Sequence, residues 1–345
     1  MAGIFDFGGR NLVDLYNDVN SRDDVFAYLD HVIANGANLN PAISRETRAE
    51  LQTIRTQISL LSVTNGTEYV GDLATTPGQH IRRRATLGWP RDAPSKFEVL
   101  VNNGHRGRNH PESAALEYWS PFDLLGLFLS KMGGAPNHGT ATEANFYLPL
   151  AAVYGRFCMW IGLNKRPALT TDGPEDRRQG QGVGDPSSYY QITWDPYSGQ
   201  FFLGAGLAGY VWPPGRRPGG TGTWKPVVRE RRYSLLLGFH NFPGGFTEWT
   251  DSPTKRHSRR DTLFGNCAET YAYLEMLGPH YDLAARERMR GIALHRDFAQ
   301  FPQYTAANIM LYRDSPCMNC KQLLTWAGLT NPRDWHFCPP RQPRR

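Results

Sequence analysis

Apolar residues recur at helical spacing through the first sixty positions. Val25, Leu29 and Ile33 stand four apart within Asp23–Ala34. Ala49, Leu51, Ile54, Ile58 and Leu61 mark a second amphipathic helix from Ser44 to Ser62, with Ser44 at its start and Glu46 in its first turn. Residues 66–110 are loop-rich, with a basic tract at Arg82, Arg83 and Arg84 and one strand-like run, Phe97–Val101. Two more apolar helices read over 112–130 and 141–161. Their aromatic residues (Trp119, Phe122, Phe128, Phe146, Tyr147 and Trp160) read as core.

The polar, glycine-rich stretch 172–187 interrupts this pattern. It divides the chain into a mainly helical region, 1–175, and a second region, 176–345. Beyond it, Tyr189–Trp194 alternates, Asp195–Gly199 turns and Gln200–Leu203 returns, which predicts a hairpin. After a proline- and glycine-rich loop, 213–226, the run Tyr233–Phe239 has the length and unbroken apolarity of a strand in the middle of a sheet. Helices are then expected over Cys267–Leu277 and Leu283–Phe298, a short strand over Asn308–Tyr312, a helix over Cys317–Trp326 and a last strand over Trp335–Cys338, stopped by Pro339 and Pro340. The alternation predicts an α/β class, with a mixed central sheet flanked by helices and the helical N-terminal region packed beside it.

Composition narrows the setting. The 345 residues are 40% hydrophobic and 20% charged, with 35 glycines and 25 prolines, as expected of a folded, loop-rich protein. The longest apolar runs, Leu124–Leu129 and Leu148–Val153, fall far short of the roughly 20 residues that span a bilayer, so no membrane partner is expected. The first residues lack the basic and apolar stretches of a secretory signal. Five cysteines is an odd, low count, which points to reduced thiols in an intracellular, cytoplasmic or nuclear, setting. Oligomeric state is left open. Charge is uneven: residues 1–175 carry 16 Lys/Arg against 18 Asp/Glu, whereas 176–345 carry 22 against 14. The second region therefore suits a polyanion such as DNA or RNA, the alternative being an ordinary arginine-rich surface.

That basic region also holds the chemistry. Cys267-Ala268-Glu269 is followed by Pro316-Cys317-Met318-Asn319-Cys320. Three thiolates hold one zinc ion and leave its fourth position open, and a carboxylate two residues from the first of them is placed to move protons there. Both motifs fall at expected helix starts, where the dipole favours thiolate. Two other readings stay open: a closed structural site with Cys338 as fourth ligand, and a redox Cys-x-x-Cys pair. His110-Pro111-Glu112 reads as a helix start and Cys158 as a core thiol.

The two motifs resemble the signature of the cytidine deaminase superfamily, H-x-E followed by P-C-x-x-C, in its all-cysteine form. The resemblance covers roughly residues 186–340. Through Gly265-Asn266-Cys267-Ala268-Glu269 and the closing Phe337-Cys338-Pro339-Pro340 it is similar to the toxin-type and YwqJ-like nucleic-acid deaminases. It implies a three-layer deaminase-like fold, Zn2+ on Cys267, Cys317 and Cys320, and Glu269 as catalytic acid and base. The implied reaction is hydrolytic deamination of a nucleobase, cytosine favoured over adenine, in DNA or RNA. The cluster Lys255, Arg256, His257, Arg259 and Arg260 would hold phosphates at the pocket rim, with Trp249, and also Phe246, Tyr304 or Trp335, as stacking groups. A deaminase of free nucleosides, nucleotides or another small aminated heterocycle is an alternative, as is an inactive, zinc-stabilised binding module. The interval between the motifs, with its charged helix Ala284–Phe298, is long for the family, and residues 1–175 lie outside the resemblance.

Overall fold

The computed structural model describes residues 3–41, 43–62, 99–103, 116–136, 139–163, 187–207, 224–238, 264–277 and 283–327. A short hairpin, β1 (Asp6–Phe7) with β2 (Arg10–Asn11), leads into α1 (Leu12–Asp18), α2 (Arg22–Leu39) and α3 (Arg45–Leu61). Ser21 and Ser44 cap α2 and α3 by accepting the N–H of Asp24 and Thr47. Both helices therefore form where their apolar spacing predicts. Strand β3 (Val101–Asn103) pairs with β4 (Leu116–Tyr118), so the helix expected over 112–130 begins only after that strand. Ser120 caps it and Pro121 takes its first position, giving α4 (Pro121–Lys131). A π-helical turn, Glu143–Tyr147, opened by a capping box of Thr142 and Asn145, runs into α5 (Leu148–Leu163). The expected helix over 141–161 is thus present, and from Leu148 to Gly162 it is buried all round.

The second half opens with the expected hairpin, β5 (Tyr189–Trp194) and β6 (Phe201–Ala205). Its turn closes on Asp195, whose carboxylate accepts from the Tyr197 N–H and the Ser198 hydroxyl, while Gly199 takes φ +71°. The chain continues through α6 (Trp224–Gly238), α7 (Glu269–Met276), α8 (Leu283–Arg288), β7 (Arg290–His295), a 3-10 turn (Arg296–Gln300), α9 (Ala306–Met310), β8 (Arg313–Asp314) and α10 (Met318–Trp326).

Three expectations are corrected here. Tyr233–Phe239 is not a strand. Residues 224–238 are helical, and Val228, Arg232 and Leu236, four apart, form the buried stripe while Leu237 is half exposed. Leu283–Phe298 is not one helix. It breaks after Arg288, where the Arg290 guanidinium collects the carbonyls of Glu287, Arg288 and Met289, and the apolar run Gly291–Leu294 becomes a strand buried on both faces. Asn308–Tyr312 is not a strand either. Thr305 caps a helical turn by accepting the Asn308 N–H, and Ile309 is buried whereas Met310 and Leu311 face out.

The protein is thus a mixture of helices and small sheets. Its principal sheet has the order β6-β5-β7-β8, and every neighbour among the described strands is antiparallel, where a mixed sheet was expected. The last expected strand, Trp335–Cys338, lies outside the described residues. Alternation along β5 separates two faces. Tyr190 and Trp194 meet Tyr154 of α5 and Tyr147 before it, whereas Gln191 and Thr193 face α7 and α10. Helix α4 covers the outer edge of β6, where the Ser130 hydroxyl accepts the Leu203 N–H at 3.3 Å. One continuous buried cluster draws on α1 to α5 as well as on β5, β6, α7, β7 and α10. Residues 172–186, which hold most of the expected boundary, lie outside the described residues. No helix among the described residues is long and apolar enough to cross a membrane.

Gly126 marks the tightest seat of α4 on this sheet. A Cβ there would fall 2.3 Å from the Leu203 carbonyl oxygen. In an exposed helix, replacing Gly by Ala gains up to about 1 kcal/mol. Here Gly126→Ala is expected to do the reverse, destabilising by about 1–3 kcal/mol through overpacking. A lowered urea midpoint checks this, and a raised one would show that α4 is not seated as described.

Candidate metal centre

The first cysteine is carried by a loop rather than by a helix. Helix α7 starts at Glu269 with Ala268 as its cap, two residues later than the expected start at Cys267, so Cys267 lies just outside it. The loop is stitched on both sides. The Leu207 N–H donates to the Asn266 carbonyl at 2.8 Å, and Gly204 of β6 lies so close that a Cβ would come within 2.1 Å of the Ala268 oxygen. Gly265 takes φ +87° against the Arg229 carbonyl of α6. The Cys267 carbonyl accepts from the Arg232 guanidinium at 2.6 Å, the Thr270 hydroxyl at 2.9 Å and the Thr270 N–H at 3.3 Å. The other two cysteines open a helix, as expected: Cys317 is the N-cap of α10 and Cys320 stands in its first turn.

These starts meet. The Cys267 and Cys317 sulfurs are 3.3 Å apart, those of Cys317 and Cys320 3.4 Å, and all three lie within 4.8 Å of one another. The thiols are free rather than disulfide-bonded. In a tetrahedral site with metal–sulfur bonds of about 2.3 Å, sulfurs sit about 3.8 Å apart. The cluster therefore fits a metal ion with only small adjustments of the side chains. Thiolate donors select soft or borderline metals such as zinc, copper(I) or iron. Among the described residues no fourth His, Cys, Asp or Glu joins the group. Cys338, the alternative fourth ligand, lies outside them.

Without a metal the three sulfurs share protons. Hydrogen bonds from the Cys267 and Cys320 thiols hold Cys317 far below the usual thiol range. Donating to Cys317 raises Cys267, and burial raises Cys320. Glu269 lies beside them, partly buried. Burial pushes its carboxyl up to about 7, the Cys317 charge adds to the rise, and a hydrogen bond from Cys320 opposes it. Glu269 and Cys320 also line a pocket of about 380 Å³ of empty space, its open mouth included. Gln191 and Thr193 of β5 form part of its floor, and Tyr273, Leu323 and Leu324 supply apolar walls.

The structure thus brings together Cys267, Glu269, Cys317 and Cys320. Lys255, Arg256, His257, Arg259, Arg260, Trp249, Phe246, Trp335 and His110-Pro111-Glu112 lie outside the described residues. Tyr304 is a core residue rather than a stacking platform, because it packs edge-on against Tyr16 of α1 at 5.7 Å and is only 8% exposed. Cys158 is a core thiol, as expected, raised well above its usual range chiefly by burial. Sequence reasoning missed Arg232, Thr270 and Asp123, which surround the Cys267 loop. Asp123 did carry a signal: one acidic residue in the otherwise apolar Pro121–Leu129, where a buried charge needs a partner.

The thiol geometry predicts one tightly held metal ion per chain. Cys267→Ala or Cys317→Ala is expected to weaken it by at least 100-fold, whereas Cys158→Ala leaves it unchanged. Elemental analysis with chelator competition checks this. Binding must also expel thiol protons, so affinity is expected to fall as pH is lowered. Comparison with protein-family models, with curated proteins and with solved structures finds no match for this chain, so what the site does is read from its chemistry.

Proposed function

We propose that this chain is a zinc-dependent hydrolase that deaminates a nucleobase, cytosine ahead of adenine, within DNA or RNA. The observation that carries the reading is the convergence of Cys267 with Cys317 and Cys320 beside the partly buried carboxylate of Glu269. Three thiolates suit zinc and leave room in its tetrahedron for one more ligand. When bound, zinc supplies Lewis acidity that activates water near neutral pH. The order of the motifs, with C-A-E running into α7 and P-C-x-x-C opening α10, supports the deaminase resemblance.

On this reading Glu269 works as general base and then general acid. It takes a proton from the attacking water and delivers it to the ring nitrogen beside the reacting carbon. Water adds at C4 of cytosine, the C–N bond to the amino group breaks, ammonia leaves, and a carbonyl remains. The apolar walls, Tyr273 and Leu323 among them, keep bulk water away from the carboxylate. A base must leave the stack to reach such a site, so a polymer must present it unstacked or already single-stranded. The excess of basic residues in 176–345 favours a polymer, through its phosphates. The apolar pocket favours the second reading, a deaminase of free nucleosides or nucleotides.

One experiment separates these. Zinc-loaded protein is incubated with mixed DNA and RNA pools and, separately, with free cytidine and adenosine and their nucleotides. Sequencing reads base changes, and ammonia release reads free substrates. C-to-U change in a polymer is expected, with Glu269→Gln lowering the rate about 10²- to 10⁴-fold while the zinc content stays the same. Turnover of free substrates alone would replace the first reading with the second. Zinc binding without turnover of any substrate would leave a zinc-stabilised binding module.

A further inference from the structure

We infer that the buried pair Asp123–Arg232 is a positioning device that ties helix α4, in the first half of the chain, to the metal ligand Cys267. The inference rests on the three thiols being a metal centre, and not on the reaction carried out there.

The ligands are not equally supported. Cys317 and Cys320 belong to α10, whose backbone ladder holds them in register. Cys267 belongs to a loop two residues before α7, tied to that helix through Thr270, whose hydroxyl and N–H donate to the Cys267 carbonyl at 2.9 and 3.3 Å. What holds its backbone is the carbonyl, and the shortest donor to that carbonyl is the Arg232 guanidinium, at 2.6 Å. Arg232 reaches it from α6 with its side chain 1% exposed. The other arm of the fork donates to the Ala205 carbonyl at the end of β6, at 3.2 Å. One rigid, permanently charged group therefore fixes the ligand loop against the sheet.

The guanidinium also has an ionic partner, close enough for charge pairing but not for a hydrogen bond. Asp123 of α4 lies 3.6 Å from it and is equally buried, and the Tyr271 ring of α7 lies 5.4 Å from its centre. The same stretch of the first half grips α7 beyond that. Tyr118 stacks on Tyr271 at 4.3 Å and donates to Glu275 at 2.8 Å, and the Tyr271 hydroxyl donates to the Glu117 carbonyl. An ion pair buried this deeply is a poor way to gain stability, since apolar side chains of similar volume usually serve as well or better. Three thiolates on a divalent ion carry a net negative charge. A cation that also anchors one ligand answers both needs. Residues 116–131 are on this account a wall of the metal site.

The test compares the full chain, its Arg232→Lys variant and the double variant Asp123→Leu/Arg232→Met. Zinc affinity is measured by competition with a chromogenic chelator, cobalt(II) substitution gives the absorption of the thiolate centre, and urea unfolding reports the fold. Removing both charges together is expected to leave the protein folded. Zinc affinity should fall about 10- to 100-fold, the range found when groups that orient metal ligands are lost. The cobalt(II) bands should shift, and Arg232→Lys, which keeps the charge but loses the fork, should lie between. A folded double variant with full zinc affinity and an unchanged cobalt(II) spectrum would overturn the inference. Should the double variant fail to fold, Arg232→Lys decides: weaker zinc at an unchanged urea midpoint supports the role, and unchanged affinity overturns it. If the unaltered chain binds no metal through its three thiols, the metal-centre reading itself falls, which is a separate result.

Discussion

Cys267 reaches Cys317 because of where one strand lies. Strand β5 is central, with β6 on one side and β7 on the other, and its odd-numbered residues face the same layer of helices. Helix α7 follows the hairpin and α10 follows β8, and both settle on that face with Glu269 and Cys320 bordering one pocket. The antiparallel register of β5 with β7, Ile192 opposite Ile292, therefore sets the meeting of two chain segments fifty residues apart. A slip of one residue would turn Gln191 and Thr193 to the opposite face and replace them with large apolar side chains. The thiols would then have no common floor.

Much of this was legible in the chain, and what was not has identifiable causes. The hairpin announces itself through alternation and a turn rich in Asp, Pro, Ser and Gly. Helices α2, α3 and α10 announce themselves through apolar spacing or a capping position. The cysteine motifs can be read because metal chemistry restricts residue type and spacing far more than packing does. Helix α6 was hidden because Arg232 occupies a position in its buried stripe. With Arg232 read as polar, the remaining Tyr233–Phe239 run looks like a strand. The break between α8 and β7 was hidden because Gly291–Leu294 suits a buried strand and a buried helix equally, and only pairing with β5 decides. The turn at Ala306–Met310 depends on a cap, Thr305, that a short apolar run outweighs on paper.

The charged groups around the site follow one logic. Asp123 and Arg232 are withdrawn from water and Glu269 partly so, yet each faces an opposite charge, a carbonyl or a thiol. Such groups are tolerated inside a protein only when their partners are fixed in place. The rigidity around them comes from large neighbours that move little: the Tyr118–Tyr271 stack, the fully buried helix α5 and the close contact of Gly126 with β6. Polar precision at the thiols and apolar packing in the first half of the chain are in this sense one arrangement.

The cover that α4 places over β6 has a further consequence. An open strand offers a row of donors and acceptors on which a second molecule can add its own strand, the usual route to fibrous aggregation. Here Ser130 already takes the Leu203 N–H, and the helix body blocks approach from that flank. At the other end of the described sheet, β8 offers only Arg313 and Asp314, two charged residues on a very short template. A sheet that must hold a precise site at its centre is thus guarded at both margins against recruiting foreign chains.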